Sequence, residues 1–136
     1  MPIIKVIGID IGETRVGVAL GSMETKYASP LITLLNNDNL FSNLEKIIKE
    51  NEVGLIVAGL PRNLDNEETM QTKYSRKVAE EIKNKLSIEV VFQDEALTSV
   101  KARDELDARK KPYEKGDIDK LAACYILEDY LTGNIK

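Results

Sequence analysis

Acidic residues at three separated points of the sequence are the side chains best suited to do chemistry. Asp10 lies at the end of the most apolar run of the chain, Asp94 and Glu95 directly follow a later apolar run, and Asp119 lies in a predicted helix. Carboxylate oxygens are the ligands that Mg²⁺, Mn²⁺ and Ca²⁺ prefer. If these points meet in the fold, they would hold hard cations, and two such ions about 3.5–4 Å apart can clamp a phosphodiester bond for hydrolysis.

The acids that end or follow strands also have an ordinary structural interpretation. Asp10 could cap the turn after its strand, although its same-face neighbours Gly8 and Gly12 leave open space beside the carboxylate. Asp94 and Glu95 could form a solvated acidic loop. Only one of the two is expected to face a site, because adjacent residues of an extended chain point in opposite directions.

Asp119 is predicted to lie on the buried face of its helix. It shares that face with Ala122, Ala123 and Ile126, and the small alanines allow close packing on a sheet. Asp117 lies about 200° away around the helix and is expected to face solvent. An acid in the first helical turn also suits the helix dipole, which is the structural alternative for Asp119.

The composition removes several classes of enzyme. The 136 residues include no His and one Cys, so a Ser-His-Asp triad, a Cys-His pair and a Cys/His zinc site are excluded. The net charge of −4 argues against a general nucleic-acid coat protein but not against a nucleic-acid enzyme with a local basic patch. One Cys closes no internal disulfide, and no apolar run reaches the roughly 18 residues of a membrane span. We therefore expect a cytoplasmic protein with no membrane partner.

Hydrophobic patterning predicts one α/β domain over residues 1–136. Apolar runs predict strands at 3–11, 15–20, 30–35, 53–60 and 88–92. Helical spacing of apolar residues predicts helices at 41–50, 67–85, 98–109 and 117–131, with Thr98 or Ser99 capping the third. The short link between the first two strands predicts a hairpin, and the later βαβ units predict a mixed five-stranded sheet with helices on both faces.

Four segments of the sequence resemble the signatures of the YqgF/RuvX family. They are GIDIGETRVGVA at 8–19, VAGLP at 57–61, DEALTS at 94–99 and KGDIDKLAA at 115–123, and together they span essentially the whole chain. The resemblance implies an RNase H-like fold and a bacterial cytosolic nuclease. It leaves two substrates open, the 5′ end of pre-16S rRNA and branched DNA cleaved by a Holliday junction resolvase.

The resemblance also implies a catalytic and metal-binding triad of Asp10, Glu95 and Asp119 holding Mg²⁺, or Mn²⁺, as two ions. The sequence departs from the family at two points. Ala96 stands where the family has Arg, which removes a cation beside the site and puts substrate affinity or phosphate positioning in question. Asp65-Asn66 stands where the family has Asp-Gly, a mild change because Asn tolerates the same turn conformation.

Basic residues give candidate contacts to nucleic acid, and each has a structural alternative. They are Arg15, Arg62, Arg109, Lys110 and Lys111. Arg15 could hold a phosphate or pair with an acid, and 109–111 could equally be solvated charge at a helix end. Tyr113 nearby could stack on a base. Cys124, in a helix of small residues, is expected to serve packing.

Two other classes of function remain as alternatives. A nucleotide-binding ATPase of the actin and sugar-kinase type has a similar first hairpin, but it needs two such domains and this chain has room for one. A non-catalytic ribosome-assembly factor that binds structured RNA or ribosome precursors would keep the fold without the chemistry. A resolvase would need two active sites and hence a homodimer, but the sequence shows no dimer face and leaves monomer and homodimer open.

Overall fold

The described residues form five strands and four helices, in the order that the hydrophobic patterning predicts. The computed structural model describes residues 4–63, 65–95 and 98–133, the side chains of Thr98 and Ser99 excepted. The elements are β1 (Lys5–Ile11), β2 (Arg15–Ser22), β3 (Ala28–Leu35), α1 (Leu40–Glu50), β4 (Val53–Pro61), α2 (Met70–Leu86), β5 (Glu89–Glu95), α3 (Thr98–Ala108) and α4 (Lys115–Thr132). None of the helices among these residues is long and apolar enough to cross a lipid bilayer.

The strands form one mixed sheet in the order β3-β2-β1-β4-β5. β1, β2 and β3 are joined as antiparallel neighbours, which confirms the predicted hairpin. β4 pairs in parallel with β1 on one side and with β5 on the other. The carboxyl ends of β1, β4 and β5 therefore meet at one edge of the sheet, where ligand sites of open α/β sheets form.

Helices cover both faces of this sheet, as predicted. One face packs on α1 and α2 through residues such as Ile7, Ile9 and Ile56, all fully buried. The other face packs on α3 and α4 through Val6 and Val57. Because side chains alternate along a strand, the even-numbered residues of β1, Asp10 included, face α4.

Two predicted helix starts differ from the structure by two or three residues, because capping fixes them. α2 begins at Met70 rather than at residue 67. The Thr69 hydroxyl accepts a hydrogen bond from the Thr72 amide at 3.3 Å, and the Thr72 hydroxyl accepts one from the Thr69 amide at 2.9 Å. α4 begins at Lys115 rather than at residue 117, so Asp119 lies in the second turn and not the first.

The last strand is longer than its apolar residues predict. β5 continues through Asp94 and Glu95, which were expected in a loop after the strand. Backbone pairing with β4 extends the strand to these residues, since Leu60 pairs with Asp94 and Pro61 with Glu95. The two acids are therefore held by the sheet.

Candidate active site

Asp10 lies opposite a glycine over which a helix passes. In the antiparallel register Asp10 pairs with Gly17, so the two residues share a face of the sheet. A Cβ atom on Gly17 would lie 2.0 Å from the backbone oxygen of Asp119, which no side chain could occupy. The bare glycine therefore lets α4 bring Asp119 down onto the sheet beside Asp10.

Two further glycines on the same face set the depth of α4. A Cβ on Gly8 would lie 2.7 Å from Leu127 Cβ, and one on Gly59 would lie 2.4 Å from Ile126 Cδ1. Glycines on β1, β2 and β4 thus let one helix approach the backbone of three strands. This close contact fixes where the Asp119 carboxylate stands.

Asp119 is paired with Arg15 at the start of β2. The Arg15 Nε donates to Asp119 Oδ2 over 2.5 Å, with 32% and 19% of the two side chains exposed. Of the two roles left open for Arg15, the structure shows the ion pair with an acid. The guanidinium is the cation that offsets Asp119 in this arrangement.

Burial, together with the nearby charge of Asp119, raises the pKa of Asp10 to about 7. A carboxylate is costly to desolvate, and a second one beside it adds like-charge repulsion. A bound cation would relieve both. The two carboxylates thus fit a hard divalent ion as a donor set.

The two acids at the end of β5 point to opposite faces, as predicted. Val91 packs against the α4 side and Phe92 against the α2 side, so alternation sends Glu95 toward α4 and Asp94 away. The Glu95 side chain is buried on the face that carries Asp10. Asp94 is bound by Arg62 at 3.0 Å instead.

The three predicted triad residues share a face and an edge of the sheet but do not form a closed ligand set. Across 4–63, 65–95 and 98–133, no three Asp, Glu or Cys residues are gathered closely enough to hold one metal ion. Asp10 and Asp119 are the members in electrostatic contact. Glu95 stands two strands from Asp10 at the same edge.

The turn after β1 is held by amides that sequence reasoning missed as site residues. Asn36 Nδ2 donates to the Gly12 carbonyl at 2.7 Å and to the Tyr74 hydroxyl at 2.8 Å. Gln71 Nε2 donates to the Ile11 carbonyl at 3.0 Å. These bonds fix the chain just past Asp10, and their partners lie too far apart in sequence for a local pattern to reveal them.

The predicted nucleic-acid contact Arg62 is occupied by acids. Its guanidinium lies 3.0 Å from Asp94 and 3.7 Å from Glu68, and only 17% of its side chain is exposed. Arg76 also pairs with Glu68, at 2.8 Å. The network ties β4, β5 and α2 together on the face opposite Asp10.

The basic segment after α3 is exposed. Arg109 is hydrogen-bonded to Glu105, one turn back. Lys110 adopts a left-handed backbone with φ of 55°, and Lys111 is exposed. The Tyr113 hydroxyl donates to Asp107, which holds its ring against the segment.

The remaining smaller predictions have mixed outcomes. Cys124 is buried, and burial raises the pKa of its thiol to about 12, which confirms a packing role. Asn66 has a φ of 62°, so Asn does adopt the left-handed turn conformation expected of it. Ala96, and the side chains of Thr98 and Ser99 with their predicted cap, lie outside the described residues. Asp117 caps α4 by accepting from the Glu114 amide at 2.9 Å, and that bond lowers its pKa.

The sheet order and the helices on both faces define the RNase H-like fold, and the acids lie at one edge of its sheet. Solved structures support the fold. "T. thermophilus RuvC in complex with Holliday junction substrate" matches with a TM-score of 0.58 at 14% identity over 96% of this chain and 95% of that one. The Fowlpox virus resolvase matches with a TM-score of 0.56 at 11% identity over 98% and 100%. The predicted RNase H-like fold is confirmed.

Sequence comparison gives the family. The model described as "RuvX: Holliday junction resolvase" matches residues 4–133, so the chain belongs to the RuvX family of nucleic-acid hydrolases. A relative from Sulfurihydrogenibium sp. is 38% identical over 93% of this chain and 89% of its own, and one from Haemophilus ducreyi is 35% identical over 95% and 96%. Both carry the name "Putative pre-16S rRNA nuclease". Membership decides against the ATPase alternative.

Proposed function

We propose that this protein is a metal-dependent endonuclease that hydrolyses phosphodiester bonds at the 5′ end of precursor 16S rRNA. The observation that carries the proposal is the Asp10–Asp119 pair, two carboxylates seated side by side over Gly17 with the pKa of Asp10 raised. The curated relatives carry that substrate in their names, and such a substrate would place the protein in the cytoplasm.

In this proposal Asp10, Glu95 and Asp119 would together hold two Mg²⁺ or Mn²⁺ ions, with no single ion held by all three. Ions bound there would lower the pKa of a coordinated water and stabilise negative charge on the leaving oxygen. Asp10 provides a strongly desolvated carboxylate, because it stands between the sheet and α4. Glu95 lies on the same face at the end of β5 and supplies the third carboxylate.

Arg15 has two tasks in the proposed mechanism. Its Nε holds Asp119 Oδ2 and so orients that carboxylate before substrate arrives. The remaining guanidinium donors are available to a phosphate oxygen, since a guanidinium carries five N–H groups. Arg15 thus links the carboxylate pair to the strand being cleaved.

The exposed cations Arg109, Lys110 and Lys111 supply contacts to the nucleic-acid backbone. Arg62 contributes mainly to structure, because two carboxylates already occupy it. This division predicts that reversing charge at Lys110 or Lys111 weakens substrate binding with little effect on stability.

The test is a cleavage assay that offers precursor 16S rRNA and a four-way DNA junction side by side, with Mg²⁺, Mn²⁺ or EDTA. We expect cleavage of the precursor RNA that needs the divalent ion and is lost in Asp10→Asn and Asp119→Asn. Asp38→Asn, an exposed acid before α1, is the matched control and should remain active. Binding of Mn²⁺ by calorimetry should weaken in the same two variants.

A Holliday junction resolvase is the second candidate, favoured by the family's description and by the likeness to the RuvC fold. Cleavage of the four-way junction in preference to the RNA would select it. Tight and salt-sensitive RNA binding with no cleavage under any ion would instead make the protein a non-catalytic ribosome-assembly factor.

A further inference from the structure

A cleft of about 380 Å³ opens between the end of α3, the start of α4 and β3. Its volume lies within the range of pockets that bind small ligands, about 300–1,000 Å³. Tyr113 and Pro30 contribute flat apolar surface, and Arg109, Lys111 and Lys120 contribute positive charge. A flat ring beside cations suits a ligand that is itself planar and anionic.

Of the three cations that line the cleft, two are paired with carboxylates. Lys120 pairs with Asp117 at 3.4 Å, and Arg109 is bound by Glu105 at the α3 end. Lys111 is exposed at the same cleft and forms no ion pair with the described residues. Its uncompensated charge attracts phosphate.

The Tyr113 side chain is held at two points, its hydroxyl and its ring. Its hydroxyl donates to Asp107 of α3, and its ring packs against the core between α4 and the sheet. A ring fixed in this way loses little conformational freedom when a flat partner stacks on it. Bases stack on aromatic side chains in this manner in proteins that bind single strands.

The cleft adjoins the proposed active site through one helix. Asp117 and Lys120 line the cleft, and both lie within one turn of Asp119, about 5.4 Å along α4. Asp119 faces the sheet, while its neighbour Lys120 is turned about 100° toward the cleft. The cleft and the Asp119 carboxylate therefore lie on adjacent sides of the first two turns of α4.

We propose that this cleft receives one unpaired nucleotide of the substrate, with the base stacked on Tyr113 and a phosphate bound by Arg109, Lys111 and Lys120. The inference rests on the proposed function and narrows the substrate class to nucleic acid with a single-stranded segment next to the bond that is cleaved. A base held in a duplex cannot enter without unpairing, so fully paired arms are poor occupants.

Binding measurements separate this site from the chemistry. In an Asp10→Asn background, fluorescence anisotropy would compare a labelled single-stranded oligouridylate with a blunt RNA duplex of equal length. Tyr113→Ala should weaken single-strand binding roughly 5- to 100-fold, as expected for one lost stacking contact, and change duplex binding less than about twofold. Tyr113→Phe keeps the ring and should stay within about twofold of the parent.

One control variant and one further test variant guard against a folding artefact. Tyr27→Ala removes an exposed tyrosine that lies outside the cleft and should leave both affinities unchanged. Lys111→Glu changes an exposed side chain and should lower single-strand affinity while leaving the melting temperature at the parent value. This variant tests the cleft even if Tyr113→Ala fails to fold.

A fluorescent adenine analogue placed at successive positions of the oligonucleotide shows which nucleotide occupies the cleft. Quenching at one position, lost in Tyr113→Ala, supports the site. Equal loss of single-strand and duplex binding, or no loss in Tyr113→Ala and Lys111→Glu, overturns it. The proposed function fails on a different result, namely no divalent-dependent cleavage by the parent protein or cleavage that survives Asp10→Asn, so the two failures are distinguishable.

Discussion

Arg15 and Asp119 form an ion pair that joins the start of β2 to the second turn of α4, across 104 residues of sequence, with 2.5 Å between Nε and Oδ2. The contact occupies one oxygen of a carboxylate that we propose as a metal ligand. The Arg15 guanidinium and a bound divalent cation would thus both compensate the negative charge of Asp119.

Arg15→Gln should make the protein more dependent on metal. Without the guanidinium, Asp10 and Asp119 face each other with no cation, and we expect the metal-free protein to lose about 1 kcal/mol of unfolding free energy. Added Mg²⁺ should then raise the melting temperature by more than it does in the parent, because the ion takes over the charge. Arg103→Gln, an exposed site on α3, is the control. Equal Mg²⁺ responses in all three proteins would contradict this.

Asp10 should make the metal-free protein less stable as the pH rises. The pKa of Asp10 is about 7 in the folded state against 3.8 for the ordinary group, so between these pH values the folded state binds more protons than the unfolded state. The free energy of unfolding then falls from about pH 4 to about pH 7 and loses nothing more from this group above that. Asp10→Asn should remove this slope and, at pH 8 in EDTA, be the more stable protein by roughly 1–4 kcal/mol. Urea unfolding at pH 5 and 8 measures it, and parallel curves for parent and variant would refute it.

Gly17→Ala should displace α4 from the sheet. The added Cβ would lie 2.0 Å from the Asp119 carbonyl oxygen, a backbone atom that cannot move alone. We expect a loss of at least about 2 kcal/mol in unfolding free energy together with loss of cleavage. Gly54→Ala is the matched control in β4, where the nearest atom lies 3.8 Å away and stability should hold or rise slightly. Similar melting temperatures for the two variants would count against a tight α4 contact.

Asn36→Asp should weaken the turn after β1. The substitution replaces an N–H donor to the Gly12 carbonyl by an oxygen that repels it, at a cost of about 1–3 kcal/mol. Because the turn follows Asp10 directly, cleavage should drop with kcat more affected than KM. Asn43→Asp, on the exposed side of α1, should change neither quantity. Denaturant unfolding and steady-state kinetics give both readouts, and an active, fully stable Asn36→Asp would show that the bond has no such role.

Local pattern was enough to predict the element order and the two covered faces. The run that contains Val6, Ile7 and Ile9 is apolar on both faces, which marks a buried central strand. The end of β5 could not be read in this way. Gln93, Asp94 and Glu95 are polar, and it is the neighbouring backbone of β4 that keeps them in the sheet.

The candidate site was predictable in its residue types but not in its contacts. Spacing placed Asp119 on the sheet side of its helix, and Gly17 shows why it fits there. The partner of Asp119 could not be predicted, because nothing in the sequence near residue 15 or residue 119 indicates a contact across 104 residues. Arg62 was predicted to contact nucleic acid, but in the structure it pairs with acids. These acids come from β5 and from the segment before α2, far from Arg62 in at least one case, so the local sequence did not indicate the pairing.

The seating of α4 on bare glycine backbone has an evolutionary consequence. The sheet, not the preceding segment 109–114, sets the height of this helix, because its contacts run along β1, β2 and β4. Insertions or substitutions in that segment can accumulate without disturbing the aspartate on the helix's inner side. Substrate preference can therefore change during evolution through segment 109–114 while the carboxylates on the sheet side of α4 keep their positions.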